Sequence, residues 1–278
     1  FASGACKPQD IDFILFCTQS PEFLLPTTAC LIQDQLGIPC TAGALDFNLG
    51  CTGFIYGLSL AKGLIETSQA TNILLLTGET YSKFIHPEDR SVRTLFGDGA
   101  AATLVQGKET SKSTPNEGIG PFIFGTDGGG GQNLKAECGG VRSIKFSKSD
   151  LPSEEPSKEN HLYMNGPEIF NFTLKVVPQC VHELLSKSRL TLKDIDLFVF
   201  HQANAHVLEH LRDKLNIDKS KFLLVLEHVG NTVSSTIPIA LKEALSSQKL
   251  SPGQRIMLVG FGVGYSWASN LVHWFHNE

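Results

Sequence analysis

The chain has 278 residues, 41% hydrophobic and 18% charged, enough apolar material for one large core or two medium ones, which excludes a disordered chain. A net charge of -5 and a pI near 6.0 argue against a nucleic-acid surface, and no apolar run approaches the roughly 18 residues of a membrane span. The opening FASGACKPQD has neither the basic nor the long apolar stretch of a secretion signal, so a cytoplasmic protein is expected.

In chain order, the first predicted element is a strand at Asp10–Phe16 (DIDFILF), followed by a helix over about Thr28–Leu36 and the stretch DFNLGCTGF at Asp46–Phe54. A helix over about Cys51–Thr67 leads to the strands NILLLTG (Asn72–Gly78) and GAAATLV, which ends at Val105. A polar, Gly-rich region follows; its GGGG is not followed by Lys-Ser/Thr, which argues against a phosphate-cradling loop. Beyond it come a strand-like HLYMNG and helices over about Pro167–Lys187, Ala205–Leu215 and Thr232–Ser246. The strands among them are DIDLFVF (Asp194–Phe200), RIMLVGFG (Arg255–Gly262) and SWASNLV. These strands are Val, Ile, Leu and Phe runs without polar alternation, as in a parallel sheet covered by helices on both faces.

The chain repeats itself. DIDFILF and DIDLFVF are offset by 184 residues, Ile73 and Ile256 by 183, and Val105 and Val272 by 167. Two duplicated halves of right-handed β-α-β units are therefore expected: 1–125, a connecting flap at 126–161, and 162–278. In the second half HLYMNG and a long helix precede DIDLFVF; the first half lacks their counterparts, so its opening strand and helix are expected to be missing from this chain.

The seven cysteines (Cys6, Cys17, Cys30, Cys40, Cys51, Cys138, Cys180) form no C-x-x-C pair and no metal-like alternation with histidine, and an odd number does not suit a disulfide framework. Cys51 stands apart because it lies between glycines where a helix begins. The positive end of the helix dipole favours a thiolate, so its pKa is expected below the usual value of about 8.5 without a paired base. His201 follows the strand DIDLFVF, at the end where open parallel sheets carry their sites. Asn231 in HVGNTVSSTIPIAL fits either a helix cap or a functional donor. The repeat ties the three together: Cys51 plus 184 gives 235, inside the helix that Asn231 opens, and His201 matches the strand end at Cys17. All three should converge on one crevice.

LPTTACLIQDQLGI, DFNLGCTGFIYGL, HPEDRSVRTLFGDGAAATLV, MNGPEIFNF, FHQAN, HVGNTVSSTIPIAL and FGVGYSW resemble, in order and spacing, the β-ketoacyl-acyl-carrier-protein synthase III family of condensing enzymes. The resemblance implies a thiolase-like α/β fold, with two αβαβα halves in five layers. It also implies that Cys51 accepts an acyl group from acyl-CoA, that His201 and Asn231 stabilise the enolate formed from malonyl carrier protein, and that the backbone N–H groups of Cys51 and Val263 form the oxyanion hole. Leu25, Gly166, Phe170, Asn204, His206 and Phe261 are then placed around the substrates, Leu25 reaching across the interface of a homodimer. No metal or other cofactor is implied, and no nucleic-acid or membrane partner. A non-decarboxylating thiolase-fold acyltransferase is the alternative. Val263 stands where the family often has a third glycine, His206 where it often has an arginine, and Asn171 and Asp213 where it often has lysines.

Overall fold

The computed structural model describes residues 1–109, 118–136, 140 and 161–275. In the first half, β1 (Phe13–Cys17) lies between β2 (Gly43–Phe47) and β3 (Asn72–Glu79), parallel to both, and β4 (Gly99–Gln106) runs antiparallel on the far side of β3. In the second half, β8 (Leu197–Phe200) lies parallel to β9 (Arg255–Gly262), followed by antiparallel β10 (Ser266–His273) and β5 (Ile119–Thr126). A separate ribbon joins β6 (Leu134–Ala136) to β7 (Leu162–Met164).

The duplication extends to individual hydrogen bonds. Asp12 Oδ2 accepts the Asn72 N–H at the edge of β1, and Asp196, 184 residues later, accepts the Arg255 N–H in the same way. Lys7–Asp10 and Thr191–Asp194, again 184 apart, close the same capped turn just before β1 and β8.

Five layers result. The helices α2 (Gly53–Glu66) and α5 (Thr236–Ser246) lie between the two sheets, in a core where Phe54, Ile55, Leu58, Ile237 and Ala240 meet residues of both, such as Leu15, Leu75, Leu197 and Leu258. On the outer face of the second sheet, α3 (Gly166–Ser188) and α4 (Ala205–Lys214) cover Phe198, Phe200, Met257 and Val259. α1 (Thr28–Gln35) packs on the outer face of the first sheet with Ile14, Ile38 and Leu74. Alternate residues of β9 serve opposite cores, which is why RIMLVGFG is apolar throughout. No helix among the described residues is long and apolar enough to cross a membrane.

Two expectations need correction. HLYMNG forms β7 but leaves the main sheet for β6; the strand that borders β10 is β5. The second-half elements without a first-half counterpart among the described residues are therefore β5 and α3, and the outer edge of β4 has no neighbouring strand among those residues. Likewise β5 belongs to the second sheet, so a first half drawn as 1–125 runs too far. An apolar edge strand looks the same in sequence whichever sheet it joins. Of the flap expected at 126–161, 137–139 and 141–160 lie outside the described residues.

Close packing of α2 on β9 sets the position of Cys51. A Cβ on Gly260 would lie 2.8 Å from the Cys51 carbonyl oxygen and 2.9 Å from Thr52 Cα, and one on Gly262 would lie 2.7 Å from Cys51 Sγ. Gly63, on the same helix, faces open space. Gly260→Ala should therefore destabilise the protein by about 1–3 kcal/mol. Gly63→Ala should stabilise it by about 0.5–1 kcal/mol. Chemical denaturation of the two variants checks both signs.

Candidate active site

Three chain segments bring the expected residues together. Cys51 closes the turn between β2 and α2, and is buried. His201 continues the β8 ladder by one residue, its N–H donating to the Val259 carbonyl oxygen at 2.7 Å. Asn231 is clamped by the first half: its N–H donates to the Leu95 carbonyl and its carbonyl accepts the Gly97 N–H at 3.0 Å. The three line one cavity of about 80 Å³ with Gly166, Phe170, Asn204 and Phe261.

The HQAN segment is fixed residue by residue. Gln202 donates to the carbonyls of Phe200 and Leu223 and accepts the Val225 N–H, so the loop after β8 cannot slide. Asn204 caps α4 through the Val207 N–H. His206, in the first turn of α4, is exposed and stacks on Phe170 at 5.7 Å; it does not line the cavity. Nor does Leu25, which is 79% exposed in the loop Phe23–Pro26. Among the cavity residues not foreseen from sequence are Tyr81, Phe96, Leu134 and Met164, an apolar wall beside Cys51. Tyr81 lies two residues past Glu79, the last residue of β3, and the polar TGET before it hides the signal that picked out His201.

Asn231 precedes the residue that caps the turn Val233–Ser235, and its side chain braces that turn. Its Oδ1 accepts the N–H of Val233 at 2.9 Å, which leaves its amide NH2 as the free end of the side chain. Val233 itself has φ 55, a left-handed conformation rare for a β-branched residue.

Burial governs the charges here. It pushes the Cys51 thiol up to about 12, against the pull of the Val263 and Cys51 backbone N–H groups, with the Glu79 carboxylate adding to the rise. The expectation that the helix terminus lowers this pKa is thus overturned: a terminal half-charge is outweighed by the loss of water around sulfur. Burial also lowers His201 to about 3, leaving a neutral imidazole at pH 7. Glu79, at the end of β3, is raised by burial to about 7, although Ser234, the Gln19 N–H and Ser20 all donate to it.

The Glu79 shift has a definite sign for stability. Its carboxyl binds protons more tightly folded than unfolded, so between pH 4.5 and about 7 the native protein loses stability as pH rises. Glu79→Gln, whose amide can still pair with Ser234, should gain about 2–3 kcal/mol on the wild type at pH 8 and nothing below pH 4.5. Urea unfolding of both proteins across that range provides the check.

A family profile described as 3-oxoacyl-[acyl-carrier-protein (ACP)] synthase III matches residues 45–142, and its C-terminal companion matches 185–274. The beta-ketoacyl-[acyl-carrier-protein] synthase III of Natranaerobius thermophilus is 38% identical over 268 residues, 96% of this chain and 79% of its own. That of Clostridium tetani is 37% identical over 273 residues, covering 98% and 80%. Among solved structures, a 3-oxoacyl-(acyl-carrier-protein) synthase III superposes with a TM-score of 0.91 at 51% identity, over 99% of this chain and 81% of that one. The Thermus thermophilus enzyme superposes with a TM-score of 0.84 at 35% identity, over 95% and 78%. Matched in both halves and over nearly its whole length, the chain belongs to the 3-oxoacyl-[acyl-carrier-protein] synthase III family of condensing enzymes.

Proposed function

We propose that this synthase III starts acyl chains in two steps at the cavity of Cys51, His201 and Asn231, and that the freed amide of Asn231 is the observation that carries this assignment. In the first step Cys51 Sγ bonds to the acyl carbon of acyl-CoA, the carbon–sulfur bond to CoA breaks, and the thiol proton ends on the CoA sulfur. No net base is consumed, so a neutral buried thiol is compatible with the exchange. The tetrahedral oxyanion is held by the backbone N–H groups of Cys51 and Val263, which lower the thiol pKa against the effect of burial.

In the second step malonyl carrier protein loses CO2, and the electron pair of the broken carbon–carbon bond becomes an enolate. Its oxygen needs hydrogen-bond donors, not a base. Asn231 supplies its NH2, because Oδ1 is occupied by Val233. His201 supplies a neutral ring N–H, because burial keeps it from charging. The enolate carbon attacks the Cys51 thioester; sulfur leaves and takes up a proton, giving a 3-oxoacyl carrier protein.

Tyr81, Leu95, Phe96 and Leu134 wall the acyl side of the cavity, while Gly166, Phe170, Asn204 and Phe261 line the approach of the thioester arm. The substrates are acyl-CoA and the malonyl carrier protein, no cofactor takes part, and the setting is the cytoplasm. The two sheet-bearing halves, the first ending before β5, act as one unit, with Cys51 in the first half and His201 and Asn231 in the second. The exposed Phe23, Leu24 and Leu25 are covered in a homodimer, where Leu25 meets the acyl pocket of the other copy.

His201→Ala and Asn231→Ala should each lower condensation about 10²- to 10³-fold and self-acylation less than about tenfold, whereas Cys51→Ala should lose self-acylation entirely. Radiolabelled acyl transfer to protein and CO2 release read the two steps separately. Equal loss of both steps in His201→Ala would instead make His201 the base of the thiol. Light scattering at micromolar concentration should give a dimeric mass, and Leu24→Asp should reduce it to that of a monomer.

A further inference from the structure

Tyr81 is buried in the short turn after β3 and shares the cavity wall with Cys51, and its ring is held from three directions. Its hydroxyl donates to Gln19 Oε1 at 2.5 Å, the Phe84 ring meets it edge-on with centroids 5.6 Å apart, and the Phe96 ring lies against it at 5.2 Å. Gln19 does not line the cavity, but it is fixed in its turn. Its side-chain NH2 donates to Asn48 Oδ1 at 3.2 Å and its backbone N–H to Glu79 Oε2 at 3.0 Å. A Cβ on Gly50, the residue before Cys51, would lie 2.7 Å from Gln19 Oε1, so this tether is packed against the backbone that carries the nucleophile.

The space left beside sulfur is small. The cavity of about 80 Å³, with the approach of the thioester arm included, has room for on the order of six waters. During acyl transfer the CoA sulfur and the carbonyl carbon and oxygen take up about half of that, which leaves about three further carbons. A close-packed ring cannot turn aside to lengthen the pocket without also breaking the bond to Gln19.

We propose that Tyr81, tethered by Gln19, is the end wall of the acyl pocket and restricts the primer to acyl groups of about four carbons or fewer. This rests on the proposed acylation of Cys51. One methylene too many for an apolar pocket costs about 10- to 200-fold, so the limit is sharp: butyryl fits, and hexanoyl, two methylenes longer, does not. The one hydroxyl proton of Tyr81 is committed to Gln19, which leaves none for the thioester. The residue therefore sorts primers by length and takes no part in making or breaking bonds.

The test incubates the full chain with acetyl-, butyryl-, hexanoyl- or octanoyl-CoA and follows its intact mass, which gives the rate of acylation for each primer. The wild type should take butyryl at least about 100-fold faster than octanoyl. Tyr81→Ala should raise the hexanoyl-to-acetyl ratio at least about tenfold, and so should Tyr81→Leu, which keeps an apolar side chain in the core should the alanine variant fold poorly. Tyr81→Phe keeps the ring and loses the tether, and should raise that ratio about three- to tenfold, the worth of one hydrogen bond; a wild-type ratio there would remove Gln19 from the wall. Wild-type acylation by octanoyl-CoA as fast as by butyryl-CoA would overturn the proposal. So would a ratio unmoved in both Tyr81→Ala and Tyr81→Leu, or a rate lowered equally for every primer, which would make Tyr81 merely structural. If none of the four adds its mass to the wild type, the acylation of Cys51 itself fails; if all four add and the variants leave their order unchanged, only the end wall fails.

Discussion

The side chains where the strand ends of the two sheets meet are buried, and most of their polar groups are partnered within the protein. Several of these partners come from the opposite half. Thr77 pairs with Ser235 at 2.8 Å, Glu79 accepts from Ser234 at 2.7 Å, Thr52 pairs with Ser266 at 2.9 Å, and the Leu95 and Gly97 backbone brackets Asn231. Each bond crosses from the first half to the second. An unpaired group at such a depth would cost about 1–3 kcal/mol, so these pairs hold the two halves in the register that forms them.

That lock is also what shapes the chemistry. Val233 lies in a left-handed conformation that costs on the order of 1–3 kcal/mol, and its two backbone groups are committed to Asn231 and Thr236. The same dryness keeps His201 uncharged and Cys51 a thiol, so nothing in the resting cavity carries charge toward the substrate except Glu79 behind it, whose own pKa sits near 7. The site spends its interactions on charge that appears during reaction, an oxyanion on one side and an enolate on the other.

Much of this was legible in the sequence. The doubled DIDFILF and DIDLFVF carried the repeat down to Asp12 and Asp196, and glycines beside Cys51 marked a place where backbone approaches backbone. What stayed hidden depended on the third dimension. IGPFIFGT cannot show that it pairs with β10, since its neighbour lies far along the chain. The helix terminus was visible at Cys51, but the loss of water that outweighs it was not. Glu79 looks like an ordinary strand end until Ser234 of the other half is brought against it.

A histidine held neutral by burial is the claim on which the rest turns, and proton NMR of the His201 ring, assigned by comparison with His201→Ala, tests it directly. The ring should keep its neutral chemical shift from pH 8 down to at least pH 5, in line with a pKa lowered to about 3. A titration with its midpoint near the ordinary value of about 6.5 would show instead that water reaches the junction and that the ring is charged for part of the catalytic range.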